Sequence, residues 1–359
     1  MSQLHLTAEE LQALTHVRRP STQARALEAI GVALSPPAAT LQNALCPHRC
    51  RRRSEANGKV MSKAKWVGGF AEWTEGDMAY LSVAFTWRLD HAYARALWYR
   101  ALGYRVRAGG PALFLVKMQH ELADVAELGG EVSDAIARHN PMATVASRGC
   151  PVGCFFCIVP AMEGREFTLL PEFPVRPILC DNNLSALPAD YQQHIIDRYR
   201  AEGVPLLDAN SGFEPSTFTP DVYARWAPLL NAGGGPWRFA LDETHELPDV
   251  LRVMKMLERE PAKRKRVYVL IGNEPFESCR RRIQTVIDGG CEPHVQPLMK
   301  LNALHREPWV RFDWTEQKLR DVARWANGWT YKVAQFSEYN RSLNKSRVRV
   351  KHEQPDLWV

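Results

Sequence analysis

The sequence has no run of roughly eighteen or more apolar residues, which excludes a transmembrane helix. Met1 to Glu10 carries acids early and has no apolar stretch, so a secretory leader is excluded and the expected compartment is the cytosol. Neither charge sign dominates: 46 Lys and Arg stand against 40 Asp and Glu, a net charge of +6. With 45% hydrophobic and 24% charged residues, the chain has the composition of an ordinary globular protein able to bury a sizeable core. Cysteine is sparse, at 8 of 359 residues, and a cytosolic setting argues against a disulfide framework. Metal binding or catalysis remains as the use for those thiols. The length allows one large domain or two smaller ones.

What is present is unevenly distributed. Basic residues cluster at Arg49–Arg53, Lys263–Arg266, Arg280–Arg282 and Lys345–Lys351, as a solvated surface or as a surface that attracts nucleic acid. Residues 1–45 read as a helical extension. It opens on a capping box, Thr7 with Glu10, followed by Leu11, Leu14 and Val17. Residues 46–77 read as a linker. Cys46 and Cys50 lie there beside His48, but no second ligand pair follows at zinc spacing. From Met78 the pattern is strand, helix, strand: Met78–Thr86, His91–Leu102, then Tyr104–Arg107 after Gly103.

From residue 141 strand and helix alternate six times, the strands being Ala143–Ser147, Arg176–Cys180, Pro205–Asn210, Arg238–Leu241, Arg266–Ile271 and Glu292–Pro297. Helices are expected near 188–202, 219–231, 246–259, 276–289 and 315–326. Repeated β-α units imply an α/β fold with a parallel sheet and right-handed crossovers. Six units make a partial (β/α)6 barrel of the TIM type, with ligands at the carboxyl ends of its strands. Residues 331–359 read as a basic tail.

The first of these strands runs into Ser147-Arg-Gly-Cys150-Pro-Val-Gly-Cys154-Phe-Phe-Cys157. Three thiolates from one tight loop can each take one iron of a cubane, leaving the fourth iron open. A zinc site or three structural thiols are the alternatives, and zinc wants a fourth ligand that the neighbourhood does not offer. Gly149 and Gly153 permit close backbone approach.

This wording resembles the cysteine motif of the radical S-adenosylmethionine (SAM) superfamily, over roughly residues 141–300. The resemblance implies a 4Fe-4S cluster on Cys150, Cys154 and Cys157 and SAM as co-substrate. It implies cleavage of SAM to a 5′-deoxyadenosyl radical that abstracts hydrogen from a substrate carbon. It also implies an external one-electron reductant of flavodoxin or ferredoxin type. Phe156 falls where the family places an aromatic beside adenine. Asp181-Asn182-Asn183 and Asn210-Ser-Gly212-Phe-Glu214 resemble strand-end motifs of the cobalamin-associated branch, with Asn182 and Asn183 favoured for the SAM amine. Asp242 and Glu243 are candidates for the ribose hydroxyls. Ile271-Gly272 resembles the stretch that packs on adenine, and Val295 closes that pocket. Lys300, Asn302 and Arg306 are placed to meet substrate.

Residues 78–140 resemble a truncated Rossmann-like unit of the kind preceding the barrel in cobalamin enzymes. The Asp-x-His-x-x-Gly ligand motif is absent, Asp90 and His91 being adjacent, so no cobalamin is expected. Cys279 and Cys291 form no auxiliary cluster motif, and Cys180 reads as a buried small residue. LTAEELQALTHVRRPSTQARALEAIGV resembles a small helical module of phage genomes, with a helix-turn-helix DNA reader as one reading. With the basic clusters, this makes a nucleobase, in phage DNA or as a nucleotide, the expected substrate. A peptide or small metabolite is the rival. The alternative function is a phage DNA-binding regulator with a redox-sensing iron–sulfur or zinc site. Membrane partners are not expected.

Overall fold

A computed structural model describes residues 66–116, 121–130, 132 and 134–339. The expectations for the helical extension, for Cys46 and Cys50, and for the tail beyond residue 339 lie outside the described residues. The chain divides after Asn140 into two units.

In the first unit, β1 (Phe70–Glu75) and β2 (Met78–Val83) form an antiparallel hairpin, with Phe70 opposite Val83. Gly76 turns it at a φ of 59°, which the first position of so tight a turn demands. From β2 the chain crosses through α1 (Leu89–Ala101) to β3 (Arg105–Gly109), which lies parallel to β2. Helix α1 buries Leu89, Ala92, Ala96 and Tyr99, the one-sided spacing of an amphipathic helix. It ends before Gly103, at a φ of 87°. After α2 (Pro111–Val116), β4 (Glu127–Leu128) adds a further parallel strand, and α3 (Ala135–His139) closes the unit. Strand β1 lies within the segment the sequence reads as linker. Only its Ala71 is buried, so its polar edge shows no clear alternation.

The second unit is built on two parallel three-stranded sheets. One pairs β5 (Ala143–Thr144), β8 (Ile178–Leu179) and β9 (Asp208–Ala209). The other pairs β10 (Trp237–Ala240), β11 (Lys265–Ile271) and β12 (Glu292–Pro297). Phe213 N–H donates to Arg238 C=O (2.9 Å) between the two sheets. A short antiparallel pair, β6 (Ser147–Arg148) with β7 (Thr168–Leu169), branches off after β5, and α4 (Val159–Met162) lies between them. The ladders of β5, β8 and β9 are shorter than the sequence implies. Pro177 and Pro205 have no N–H to donate near the starts of β8 and β9. Among the described residues no ladder joins β12 to β5, so the sheets form no closed barrel.

Helices α5 (Ala189–Glu202), α6 (Pro220–Gly233), α7 (Leu247–Met256), α8 (Phe276–Asp288) and α9 (Glu316–Asn327) follow β8 to β12 in turn. Thr219 and Thr315 cap α6 and α9, their hydroxyls accepting from Val222 N–H (3.3 Å) and Lys318 N–H (3.1 Å). The helices cover one face of the sheets. Leu179, Ala209, Phe239, Leu241, Val267, Val269 and Ile271 are buried there with Trp226 and Trp237. The alternate positions Asp208, Asn210, Asp242, Arg266, Tyr268 and His294 are polar and half-buried. The period of two thus divides a dry face from a wet one. Two basic clusters are not uniformly solvated: Lys265 and Arg282 are buried. The chain beyond α9 also packs, through Tyr331, Phe336 and Tyr339.

Candidate functional site

Strands β6 and β7 form the stem of the loop that carries the three cysteines. Gly149 leaves the stem at a φ of 86°, and a β-carbon there would stand 2.1 Å from the Glu166 carbonyl oxygen. Only glycine makes that turn. Cys150 N–H donates to Gly164 C=O (3.2 Å) and Cys157 N–H to Cys154 C=O (3.1 Å). Val159 N–H donates to Cys157 Sγ (3.4 Å). All three thiols are free and half-buried. Phe156 sets its ring edge-on to the exposed Phe155, 5.2 Å between centroids.

Burial pushes the Cys154 thiol up to about 12, with further push from Cys157, Asp242, Glu214 and Cys150. Burial also pushes the Cys157 thiol up. Neutral thiols near carboxylates surrender their protons to a strongly positive occupant, because the thiolate is the metal-binding form. Three thiolates around one zinc at about 2.3 Å would stand about 3.8 Å apart. Among the described residues, the group of three such side chains with all donor atoms within 4.8 Å is Glu243, His245 and Glu246, not the cysteines. The three thiols offer soft sulfur donors from one loop, the donor type that iron–sulfur clusters and zinc both take.

The end of β8 braces this loop. Asp181 is fully buried and accepts from Ala146 N–H (2.9 Å) and Ser147 Oγ (2.5 Å), so it faces the loop's stem. Burial raises its carboxyl to about 6 despite those bonds. Asn182 Nδ2 donates to Glu163 Oε2 (2.7 Å) and Gly149 C=O (3.3 Å). Asn183 Nδ2 lies 3.9 Å from Cys150 Sγ, while its Oδ1 accepts from Ser185 Oγ (3.3 Å) and Ala186 N–H (3.2 Å). Both asparagines are engaged with the loop and its supports. Asn210 is half-buried on the wet face and bonds Cys180, whose thiol burial pushes up to about 12. Glu214 Oε1 caps the next turn, accepting from Ser216 N–H (3.3 Å).

Strand β10 ends in carboxylates. Asp242 Oδ1 accepts from Leu270 N–H (3.1 Å), and its C=O accepts from Asn273 Nδ2 (2.5 Å). Burial, then Glu246, raises the Asp242 carboxyl to about 7. Glu246 Oε2 accepts from the N–H groups of Asp242 (2.5 Å) and Glu243 (3.0 Å). Because the folded pKa of Asp242 lies above its unfolded value, its contribution to stability is greatest at low pH and is lost as pH rises through about 7. Asp242→Asn keeps the acceptor for Leu270 and removes that loss. The variant is expected to melt above the wild type at pH 8 and to show a clearly smaller advantage at pH 5. Thermal melts at the two pH values check this, and a wild-type advantage at pH 8 would contradict it.

The expected adenine wall is differently placed. Ile271 is fully buried in the helix-side core, and so is Val295. Asn327 takes both backbone groups of Val295, accepting from its N–H (2.8 Å) and donating to its C=O (2.8 Å). Gly272 turns at a φ of 88°, where a β-carbon would stand 3.1 Å from Leu319 Cδ2. Gly272 and Val295 thus meet α9, and Ile271 is buried in the helix-side core.

Two features escaped the sequence reading. Glu163 accepts from Gly149 N–H (3.0 Å) and Asn182 and pairs with Arg148 (3.2 Å), but an acid in a structureless loop gives no pattern to read. The other is a polar row across β9 to β12. Arg238 grips Asp208 with two bonds of 2.6 Å and donates to Tyr268 Oη (2.5 Å), and Tyr268 meets His294 edge-on at 5.0 Å. Its signal was the alternation of Arg266, Tyr268 and of Glu292, His294 along two strands.

No protein-family model matches the chain, and no curated protein matches it. Among solved structures it is similar to TsrM from Kitasatospora setae, a radical S-adenosylmethionine methyltransferase with tryptophan substrate and the SAM analogue aza-SAM bound. The identity is 12% and the TM-score 0.41, and the match covers 62% of each chain. The chain thus spans about 62% of that protein's length. A likeness at that level decides nothing about what this chain does.

Proposed function

We propose that the chain is a radical SAM enzyme with a 4Fe-4S cluster held by Cys150, Cys154 and Cys157. The cysteine loop carries this reading: three free, half-buried thiols at Cys-x3-Cys-x2-Cys spacing on a glycine-hinged loop, with Asp242 and Glu214 acting on Cys154. Once bound, such a cluster supplies an iron without a protein ligand, a seat for the amino and carboxylate groups of SAM, and the electron that cleaves SAM to a 5′-deoxyadenosyl radical.

The chain's own residues hold and orient. Glu163 and Asn182 clamp Gly149 and so fix where Cys150 begins. The Asn183 carboxamide points an N–H toward Cys150 Sγ and so orients that side chain. Asp242, whose carboxyl burial raises to about 7, is suited both to donate and to accept toward hydroxyls. Glu243 and Asn210 stand with it as candidates for the ribose and amine of SAM, and Phe156 offers a ring to adenine. Ile271, Gly272 and Val295 support that pocket from the helix side.

We read residues 141–330 as a partial (β/α)6 barrel whose wet face takes the substrate, and residues 78–140 as a truncated Rossmann-like unit without cobalamin. The substrate class is a nucleobase, and the electron donor a flavodoxin or ferredoxin in the cytosol. No described helix is long and apolar enough to cross a membrane.

Glu163→Ala is expected to lower iron loading by more than half while shifting the melting temperature little, because the loop is lost and the core is not. Glu163→Gln keeps an acceptor and should retain most of the iron. Equal loading in wild type and the alanine variant would contradict the clamp. The reading itself is tested by metal analysis of anaerobically reconstituted protein. About four irons and four sulfides per chain are expected; stoichiometric zinc without iron would overturn it.

A further inference from the structure

We infer that the loop between β12 and α9, residues 299–313, is a docking surface for single-stranded nucleic acid. The inference deepens the proposed function by giving its nucleobase substrate a strand to arrive on, and it rests on that reading.

The loop leaves the carboxyl end of β12, as the cysteine loop leaves that of β5, so both lie at the end of the parallel sheets where ligands bind. Its ends are pinned. Trp309 N–H donates to Leu298 C=O (2.7 Å), and Met299 and Pro308 form a bridge. Its rings are left in solvent, Trp309 being 38% and Phe312 56% exposed. Phe312 also sits at a φ of 55°, a left-handed conformation that costs a bulky residue free energy. No burial of its ring offsets that cost. Residues held in such strain cluster at active sites and ligand clamps.

Cations are interleaved with these rings. The Arg311 guanidinium lies 4.9 Å from the Trp309 centroid and 5.1 Å from that of Phe312, and Lys300 Nζ lies 5.8 Å from Trp309. Arg306 is exposed in the same loop. Of the two acids in the loop, Glu307 is exposed and Asp313 is turned back to accept from Phe276 N–H (2.8 Å). Rings for bases with cations for phosphates, alternating along one loop, are what a single strand recognises. A bilayer would want an uninterrupted apolar face with its cations at the rim, and a duplex would hide its base faces from the rings.

The test uses the full chain without SAM, so that its failure leaves the cleavage reaction to stand or fall separately. Fluorescence anisotropy is read with a labelled mixed-sequence single-stranded DNA, the matching duplex, and phosphatidylserine-containing vesicles as competitor. The single strand should bind more tightly than the duplex, and vesicles should not displace it. Trp309→Ala/Phe312→Ala should weaken binding by about ten-fold or more, as expected for lost base stacking. Because that pair changes no charge, the loss cannot come from the other basic clusters. Arg306→Ala should flatten the dependence of log affinity on log salt by about 0.7, one phosphate contact. Arg281→Ala, on the exposed side of α8, should leave affinity nearly unchanged. Absence of binding, undiminished binding by the ring variant with an unchanged circular dichroism spectrum, preference for duplex, or displacement by vesicles would each overturn the inference.

Discussion

Cys150→Ala, Cys154→Ala and Cys157→Ala, made singly, are each expected to remove nearly all bound iron and abolish release of 5′-deoxyadenosine. In the proposed assignment each thiolate would hold one corner of a cubane, and two thiolates would not keep the open iron oriented. The effect should be catalytic and not structural. All three side chains are half-buried on a loop, and none belongs to the helix-side core. The variants should therefore melt within a few degrees of the unloaded wild type. Cys279→Ala and Cys291→Ala give the contrast, since both thiols are buried away from the loop. They should keep iron and activity at a modest cost in stability. Cys46→Ala and Cys50→Ala should also keep both. Cys180 is the intermediate case, because it precedes the Asp181–Asn183 braces and bonds Asn210. A Cys154→Ala protein that still cleaved SAM would refute the cluster assignment.

The second large effect is on stability. Arg282 is fully buried and donates to Leu241 C=O (2.7 Å), Asn273 Oδ1 (3.1 Å), Glu274 Oε2 (3.1 Å) and Cys279 Sγ (3.2 Å). Glu274 in turn accepts from Thr244 N–H (3.1 Å) and Thr244 Oγ1 (2.7 Å), and Asn273 donates to Asp242 C=O (2.5 Å). One guanidinium thus ties the ends of β10 and β11 together beneath Asp242. Arg282→Ala leaves a carbonyl, an amide oxygen and a carboxylate without their cation, at a cost of about 3–5 kcal/mol. A unit of this size loses about 2–4 °C per kcal/mol. A fall in melting temperature of roughly 6 °C or more is expected by calorimetry, against little change for Arg281→Ala. A fall of a degree or less would show that the clasp contributes nothing.

The alternation of strand and helix from Ala143 to Asn327 was legible because parallel strands announce themselves as apolar runs between amphipathic helices. The hairpin partner β1 was not, since its residues alternate too weakly to stand out from a linker. The cysteine loop stood out by its Cys-x3-Cys-x2-Cys spacing and by the resemblance of its wording to a family motif. What supports it was less legible. Asp181 turns back to the loop's stem, because no sequence pattern tells a strand-end side chain which way to fold. Ile271 and Val295 were placed toward a ligand, although each sits on the face the helices cover. In a strand flanked by apolar residues the phase is ambiguous, and a one-residue choice exchanges the faces. Arg282 was read with its neighbours as a surface cluster. Its position three residues after Cys279 and one before Ile283 puts it on the buried side of α8, which charge alone conceals.

The most direct measurement is anaerobic incubation of the reconstituted full-length chain with SAM and dithionite, followed by assay for 5′-deoxyadenosine. The account predicts release that requires reductant and is absent from the Cys154→Ala protein. Iron-loaded wild-type protein that yields no 5′-deoxyadenosine, with SAM recovered intact, would contradict it.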